Sequence, residues 1–321
     1  MKINQLDLFS GIGGFHLGFE RAGYKVTSFF SEIDKHAIAV YKHQFPNSTY
    51  VGSVTNVRGE DLPRIDLITF GSPCQDFSLA GKRKGMGGDR SSLILEAIRL
   101  IGECRPRVFV WENVKGTFSS NNGEDFTAIL QAFANIGGYR LEWQLLNTSW
   151  FLPQNRERIY LVGYSTTTKR NWRGVFPIQE ANQSNSELER PGKAVTKCLT
   201  ARGQEGHAGM QLVKVKQIGT RLDSGGKQPY QQDRVYDADG EAPALNAGKS
   251  DLIIKNNYRI RRLTPIECER LQGFPDNHTS MGNYDGEIKP MSNTQRYKQC
   301  GNAVTVDVVQ AVAEQCKPLF K

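Results

Sequence analysis

Apolar positions fall into two alternating textures along the chain. Short runs rich in β-branched and aromatic residues read as strands: Ile3–Phe9, Lys25–Phe30, Tyr50–Val54, Leu67–Phe70, Arg107–Trp111, Tyr139–Leu146 and Ile159–Gly163. Between them, Phe15–Ala22, Lys35–Tyr41, Leu93–Ile101 and Glu124–Asn135 carry apolar residues at helical spacing. Strand alternating with helix predicts an α/β fold on a largely parallel sheet with helices on both faces. From about residue 165 the texture changes. Residues 165–195 are polar and low in aliphatics, a linker composition, and 196–255 suggest short strands and many turns. Helical spacing returns at Thr264–Gln272, with Thr264 as N-cap and Pro265 in the first turn. An apolar helix over Val306–Cys316 closes the chain.

Several strands end in residues that carry chemistry. Asp66–Phe70 reads as a buried strand, which Gly71 and Pro73 break before Cys74. Cys74 thus stands just past a strand's carboxyl end, where open α/β sheets place their ligands. A lone cysteine is more often a buried structural thiol, so this position needs company to mean anything. The company comes from other strand ends. Ser10-Gly11-Ile12-Gly13-Gly14 links the first strand to its helix, the arrangement that presents backbone donors to a nucleotide-like cofactor. The spacing is not that of the dinucleotide fingerprint, and an ordinary tight turn explains it nearly as well. Glu32 and Asp34 follow the second strand. A carboxylate here suits a ribose, while the plainer role is to cap the helix that starts at Lys35. Two acids allow both. Glu112 follows Trp111, and Gln154-Asn155-Arg156-Glu157-Arg158 precedes another strand, with two arginines placed to fork a carboxylate or phosphate.

Composition narrows the partners. The net charge is +8 and the isoelectric point about 9.1, an excess that suits a polyanion but proves none. Residues 79–91 are glycine-rich and basic, fit for a mobile loop closing over an anionic substrate. The 6 cysteines are widely and irregularly spaced, with no C-x-x-C pair, which argues for free thiols rather than a disulfide frame or a zinc site. Mean hydropathy is −0.49, no apolar run approaches a membrane span, and the N-terminus goes straight into a strand without a signal-peptide pattern. A cytoplasmic protein with no membrane association is expected.

Taken together, Asp7–Gly14, Ser31–Asp34, Gly71–Ser78, Glu112-Asn113-Val114, Gln154–Arg158, Arg262–Cys268 and Gln295–Asn302, in that order, closely resemble the motif blocks of the bacterial DNA (cytosine-5)-methyltransferases. The resemblance covers residues 3–163 and 259–316. It implies a Rossmann-like sheet that uses S-adenosyl-L-methionine, and a smaller β-rich, loop-rich target-recognition domain. The expected division is 1–164 for catalysis and cofactor binding, 165–258 for target recognition, and 259–321 returning to the catalytic domain.

The same resemblance implies roles. Phe9, Gly11, Ile12, Gly13, Gly14, Glu32, Ile33, Ser53, Val54, Pro73, Leu93, Asn302 and Ala303 would line the cofactor pocket, with Glu32 on the ribose and Phe9 and Ile33 about the adenine. Cys74, Glu112, Arg156 and Arg158 would do the chemistry. Gln75, Ser78, Lys82 and Arg90 would contact DNA. By side-chain type rather than by the resemblance, Gln231, Gln232 and Arg234, just before Val235-Tyr236, are the candidates to read base edges, with Tyr236 a further DNA contact. Two positions depart from the family pattern. Ser53 replaces the usual aspartate facing the adenine amino group, which predicts weaker cofactor binding. Ala80 replaces a common polar side chain near the space that the flipped base leaves.

The chemistry explains why these groups are needed. Carbon-5 of cytosine is a poor nucleophile until a thiolate adds to carbon-6. The negative charge then building at N3 calls for a proton held by a carboxyl, here Glu112. A base inside a duplex is out of reach and must be flipped out. Expected partners are double-stranded DNA and, in a restriction–modification setting, a cognate endonuclease acting on the same site; a monomer is expected and no metal. Two other readings use the same fold: a catalytically silent DNA-binding protein, and a cytosine methyltransferase acting on RNA.

Overall fold

The computed structural model describes residues 1–72, 93–167, 174–179 and 263–321 in full, and five short strands between 217 and 262 as backbone. The main sheet contains β1 (Lys2–Leu8), β2 (Lys25–Ser31), β3 (Thr49–Tyr50), β4 (Leu67–Gly71), β5 (Val108–Val114), β6 (Tyr139–Asn147) and, beyond the two-residue β7 (Gln154–Asn155), β8 (Glu157–Ser165). Their spatial order is β3-β2-β1-β4-β5-β8-β6. The first five of that order run parallel, and β8 runs antiparallel between β5 and β6.

Period-two alternation along the central strands builds two cores. On β4 and β5, Leu67, Val108 and Val110 face one core, while Ile68, Phe70, Phe109 and Trp111 face the other. All seven are buried, as expected for strands covered on both faces. Helices α1 (Gly14–Arg21) and α8 (Val306–Cys316) cover the first face. On the opposite face lie α3 (Leu93–Cys104) and α5 (Glu124–Ala134); α2 (Lys35–Gln44) and the one-turn α4 (Gly116–Ser119) precede them. The chain's end therefore returns to its beginning. Two glycines one turn apart on α1 make that approach possible: a Cβ on Gly14 would lie 2.6 Å from Val304 Cγ2, and one on Gly18 2.4 Å from Val309 Cγ1.

The rest of the C-terminal segment is α6 (Pro265–Leu271), the hairpin β14 (Met281–Tyr284) and β15 (Glu287–Pro290), and α7 (Asn293–Asn302). Thr264 and Glu267 form a reciprocal capping box on α6 with Pro265 in its first turn, as the sequence predicts. The hairpin docks on α2 through Tyr284 with His36 Nδ1 at 2.7 Å and Lys42 with Asp285 at 2.6 Å. It turns at Asp285-Gly286, both at positive φ, the turn that matches strand twist.

Between the main sheet and α6, β9 (Gln217–Thr220), β10 (Arg234–Asp237), β12 (Ile253–Asn256) and β13 (Arg259–Arg262) form a second sheet ordered β13-β12-β10-β9. The two-residue β11 (Ala242–Pro243) pairs with β7. One expected strand is shorter than its sequence suggests. Residues 50–54 give only the end of β3, because Gly52 at φ 86° turns the chain out of the extended region. Among the described residues no helix is long and apolar enough to cross a membrane.

Candidate active site

The sheet order places five groups of residues along one edge. β1 lies between β2 and β4, so the loops leaving β1 and β4 diverge there, which is the crevice position of open α/β sheets. Residues 9–13, 31–34, 71–72 and 112–114 all lie at the carboxyl ends of parallel strands. Because β8 runs the other way, its first residues, including Arg158, return to the same edge.

The first group is the loop after β1. Phe9, Gly11 and Gly13 all have positive φ, at 51°, 53° and 85°. The path is fixed by Ser10 N–H donating to Ser31 O and Gly13 N–H to Ser10 O. Gly11 N–H donates to Glu32 Oε2 at 2.9 Å, while Glu32 Oε1 accepts from Ile33 N–H at 2.7 Å and Asp34 N–H at 3.0 Å. Asp34 takes the other job: its Oδ1 accepts from His36 N–H at 2.9 Å and caps α2, and Lys298 holds its Oδ2 at 2.6 Å. Those bonds keep the Asp34 carboxyl below the ordinary aspartate value, against burial that pushes it up. Of the two acids, Asp34 is thus the one that caps the helix.

This corner fits the adenosine end of a cofactor. Ile33 is 78% exposed beside the Glu32 carboxylate. Among the described residues, a Cβ at Gly11 or Gly52 would meet nothing within 4 Å. Ser10 Oγ is buried with no hydrogen-bond partner among the described residues. Ile12 is buried and half-buried Phe9 packs against the α3 core. Ser53 Oγ lies 3.0 Å from Thr55 Oγ1 within the loop after Gly52, and Val54 behind it is buried. Leu93, the first residue of α3, packs on the same core. Asn302 ends α7 exposed, and Ala303 beyond it is buried.

Under the loop runs a buried polar chain. Asp7 on β1 is fully buried and accepts from Thr69 Oγ1 at 2.8 Å and Tyr41 Oη at 3.3 Å. Tyr41 Oη also meets Ser28 Oγ and His16 Nδ1. Burial pushes the Asp7 carboxyl up to about 8, more than its hydrogen bonds pull it down.

At the root of the segment that carries Cys74, Ser72 is gripped by two side chains of β5. Trp111 Nε1–H donates to Ser72 Oγ at 3.1 Å, and Asn113 Nδ2–H reaches Ser72 O at 3.3 Å. Asn113 Oδ1 in turn accepts from Val114 N–H and Thr117 Oγ1–H. Gly71 is the residue in register with Glu112, and a Cβ there would stand 3.1 Å from Glu112 Oε2.

Glu112 is 8% exposed and lies inside β5, two residues short of its end. Its cross-strand partner is Tyr160, and Arg158, two residues along β8, shares that face. Arg158 Nε stands 3.2 Å from Glu112 Oε1. The pair is close but poorly aligned, and neither atom makes a hydrogen bond among the described residues, although both are buried. Arg156 points elsewhere. Its Nη1–H and Nη2–H donate to Gly301 O at 3.3 Å and Ala303 O at 2.9 Å, and burial lowers its guanidinium to about 10. The two arginines that read as one fork are therefore split: Arg158 faces the carboxylate, and Arg156 ties the end of α7 to the sheet edge.

Pro73, Cys74, Gln75, Ser78, Ala80, Lys82, Arg90, Gln231 and Gln232 lie outside the described residues, and Arg234 and Tyr236 are placed only as positions on β10. The described thiols are poor nucleophiles: Cys104 and Cys268 are pushed up to about 11 and about 12 by burial, and Cys300 and Cys316 are raised as well. Sequence reading passes over Trp111, Ser72 and Asn113 as polar contacts. The signal was present in Asn113, a polar residue in a strand otherwise apolar up to Trp111.

Residues 3–318 match the family described as C-5 cytosine-specific DNA methylase. The chain is 36% identical over 320 residues to the type II methyltransferase M1.ScrFI of Lactococcus lactis subsp. cremoris, covering 98% of this chain and 78% of that one. It is 33% identical to the type II methyltransferase M.Bsp6I of a Bacillus species, covering 96% of each. The fold is that of the Schizosaccharomyces pombe Dnmt2 methyltransferase, with a TM-score of 0.69 at 20% identity over 99% of this chain and all of that one. A match over nearly the whole chain, together with relatives above 30% identity at this coverage, establishes that the chain belongs to the C-5 cytosine-specific DNA methylase family.

Proposed function

We propose that the chain methylates carbon-5 of a cytosine in a specific duplex sequence, with Cys74, Glu112 and Arg158 at the reacting base and Arg156 holding the C-terminal segment against them. The observation that carries this reading is the Glu112–Arg158 pair, whose facing atoms are buried and lack hydrogen-bond partners among the described residues, at the edge that also holds the Glu32 corner. Unpartnered buried polar atoms are costly unless a ligand completes them, and the N3 and O2 edge of a cytosine offers the acceptors and the proton site that this pair needs.

S-adenosyl-L-methionine, bound by Glu32, Ile33 and the loop from Phe9 to Gly14, would supply an electrophilic methyl group. The Cys74 thiolate forms a bond to carbon-6, and its electron pair displaces the ring's π density toward carbon-5 and N3. Glu112 holds a proton at N3 and so keeps the ring neutral while carbon-5 becomes nucleophilic. Arg158 donates to the carbonyl oxygen and orients Glu112. After methylation, loss of the carbon-5 proton to water lets the Cys74 sulfur leave and restores the aromatic ring. Residues 165–258, which hold β9, β10 and β12 of the second sheet, would form the target-recognition domain, with β13 leading back to the catalytic domain, and Gln231, Gln232, Arg234 and Tyr236 would contact the DNA there. The basic loop at 79–91 and the net charge of +8 suit a phosphate clamp. A monomer acting in the cytoplasm, beside a cognate endonuclease, completes the reading.

Bisulfite sequencing of DNA from cells expressing the protein tests it directly. A single methylated cytosine context is expected. Unmodified DNA from cells that hold soluble, folded protein, or label transfer from S-adenosyl-L-methionine to transfer RNA rather than duplex DNA, would overturn it.

A further inference from the structure

His278 lies in the turn between α6 and the β14–β15 hairpin, 266 residues from the loop that follows β1, yet its Nε2 stands 2.9 Å from Ile12 O. The ring is 4% exposed, 4.5 Å from Phe274 and 6.1 Å from Phe45. Burial lowers its basicity to about 4, so it is neutral at physiological pH. A neutral imidazole facing a carbonyl must carry its proton on that nitrogen.

The turn that presents it is built to hold still. Glu269, fully buried on α6, accepts from the N–H groups of both neighbours, Asn277 at 2.7 Å and Thr279 at 2.8 Å. Arg296 Nη2–H closes on the same carboxylate at 3.0 Å, and Thr279 Oγ1–H donates to it as well. Gln44 on α2 fixes the carbonyl of His278 itself at 2.6 Å. The acceptor at the other end, Ile12 O, precedes the first rung of α1, which begins with Leu17 N–H on Gly13 O. Ile12 is 1% exposed and packs among Val40, Phe274, Met291, Ala303 and Val306. The neighbouring Gly13 lies close against Phe45, with no room for a side chain: a Cβ there would stand 2.3 Å from the Phe45 ring.

We infer that His278 is a positioning residue for cofactor binding: by donating to Ile12 O from behind, it fixes the glycine loop whose opposite side, at Gly11, meets Glu32. This rests on the cofactor corner assigned above. It makes S-adenosyl-L-methionine affinity depend on the folded state of the 272–280 turn, a segment distant in sequence from that corner.

The test compares His278→Phe, which keeps the ring and loses the donor, with His278→Gln, whose amide N–H can reach the same carbonyl. Calorimetric Kd for S-adenosyl-L-methionine and steady-state constants are measured on the full chain. A loop carbonyl left unpaired predicts a Kd and KM for S-adenosyl-L-methionine raised about tenfold in His278→Phe, with kcat and the KM for DNA within about twofold of wild type, and recovery to within about threefold in His278→Gln. Equal losses in both variants, unchanged affinity in both, or a fall in kcat without a change in affinity would overturn it. If His278→Phe does not fold, His278→Asn, whose amide is one bond too short, takes its place in the same comparison. Glu32→Gln serves as the control on the underlying assignment. If it leaves affinity unchanged the corner is misassigned, whereas if it weakens binding and the His278 variants do not, only the positioning role fails.

Discussion

Glu112 Oε1 and Arg158 Nε lie 3.2 Å apart on neighbouring antiparallel strands, both buried and neither making a hydrogen bond among the described residues. A pair meant only for stability would be aligned, since misaligned buried charges forfeit most of their attraction while keeping the desolvation cost. The offset is what a third party between them would correct. Glu112→Gln keeps the shape and loses the acid, so kcat should fall on the order of a hundredfold or more while KM for S-adenosyl-L-methionine stays within a few-fold. Arg158→Lys should lower kcat as well, because one ammonium cannot serve both the carboxylate and a base carbonyl. Arg156→Lys should behave differently. It loses the two bonds to Gly301 O and Ala303 O, and its effect should show first in melting temperature and cofactor KM. Steady-state kinetics on the three variants separates the roles, and identical profiles would mean that the arginines act as one unit.

Cys74→Ser should abolish product while sparing DNA affinity, because an alkoxide is far less available than a thiolate at neutral pH. Label incorporation and a gel-shift assay on the same preparation read both. Measurable turnover by the serine variant would sink covalent addition to carbon-6.

Glu32 binds three backbone N–H groups, those of Gly11, Ile33 and Asp34. Glu32→Gln replaces a carboxylate with an amide that has one acceptor fewer, and hydrogen bonds to charged groups contribute about 1.5–3 kcal/mol each. S-adenosyl-L-methionine KM should rise by about ten- to a hundredfold, with kcat at saturation little changed. Asp34→Asn should not do this, since it can still cap α2 through His36 N–H. A rise in KM of equal size in both variants would mean that the loop has simply come apart.

The order and type of the main-sheet elements are legible in the sequence because burial on both faces leaves its mark. Leu67–Phe70 and Val108–Trp111 are nearly continuous apolar runs, and Val306–Cys316 is amphipathic over its whole length. The strand-end acids and arginines are visible for the same reason: charges stand out where such runs stop. What is not legible is direction. Arg156 and Arg158 are two apart on extended backbone and read as one fork, but only the docking of α7 decides that the first turns to Gly301 and Ala303. The β14–β15 hairpin also escapes the sequence, because Glu287–Pro290 is exposed throughout and carries no alternation. Its one local clue is Asp285-Gly286. Ser72 looks like a turn residue until Trp111 and Asn113 are brought beside it by the β4–β5 register.

That register predicts a further effect. Ser72 is the last described residue before Pro73 and Cys74, and its two β5 partners fix where the segment leaves the sheet. Ser72→Ala removes the Oγ acceptor of Trp111 Nε1–H, leaving an indole donor buried without a partner, at a cost of about 1–3 kcal/mol. Asn113→Ala removes the grip on the Ser72 carbonyl. Both should lower kcat by about tenfold or more through misplacement of the nucleophile, with S-adenosyl-L-methionine KM unchanged. Thiol reactivity of Cys74 toward an alkylating reagent, measured in the same variants, should shift in parallel with kcat. Unaltered turnover in both would show that the segment is placed from its other end.

Asp7 contributes a distinct component to the pH dependence of stability. Its carboxyl is raised to about 8 in the folded chain against 3.8 for an ordinary aspartate. Between those values the folded state binds more protons than the unfolded one, so stability falls as pH rises through the window, with a limiting slope of about 1.4 kcal/mol per pH unit. Asp7→Asn does not titrate. Its Oδ1 can still accept from Thr69, and its Nδ2–H can donate to Tyr41 Oη, as the protonated carboxyl would. The variant should therefore gain on wild type as pH rises from about 5.5 to about 7.5, by roughly 1 kcal/mol per unit. His278 acts in the opposite sense: lowered to about 4 from 6.5, it makes stability fall as pH drops through that range. Its contribution is the same in both proteins and cancels in the difference. Urea unfolding of the pair at several pH values measures that difference. A constant offset across the range would mean that Asp7 is already ionised in the folded chain and that its bonds to Thr69 and Tyr41 outweigh burial.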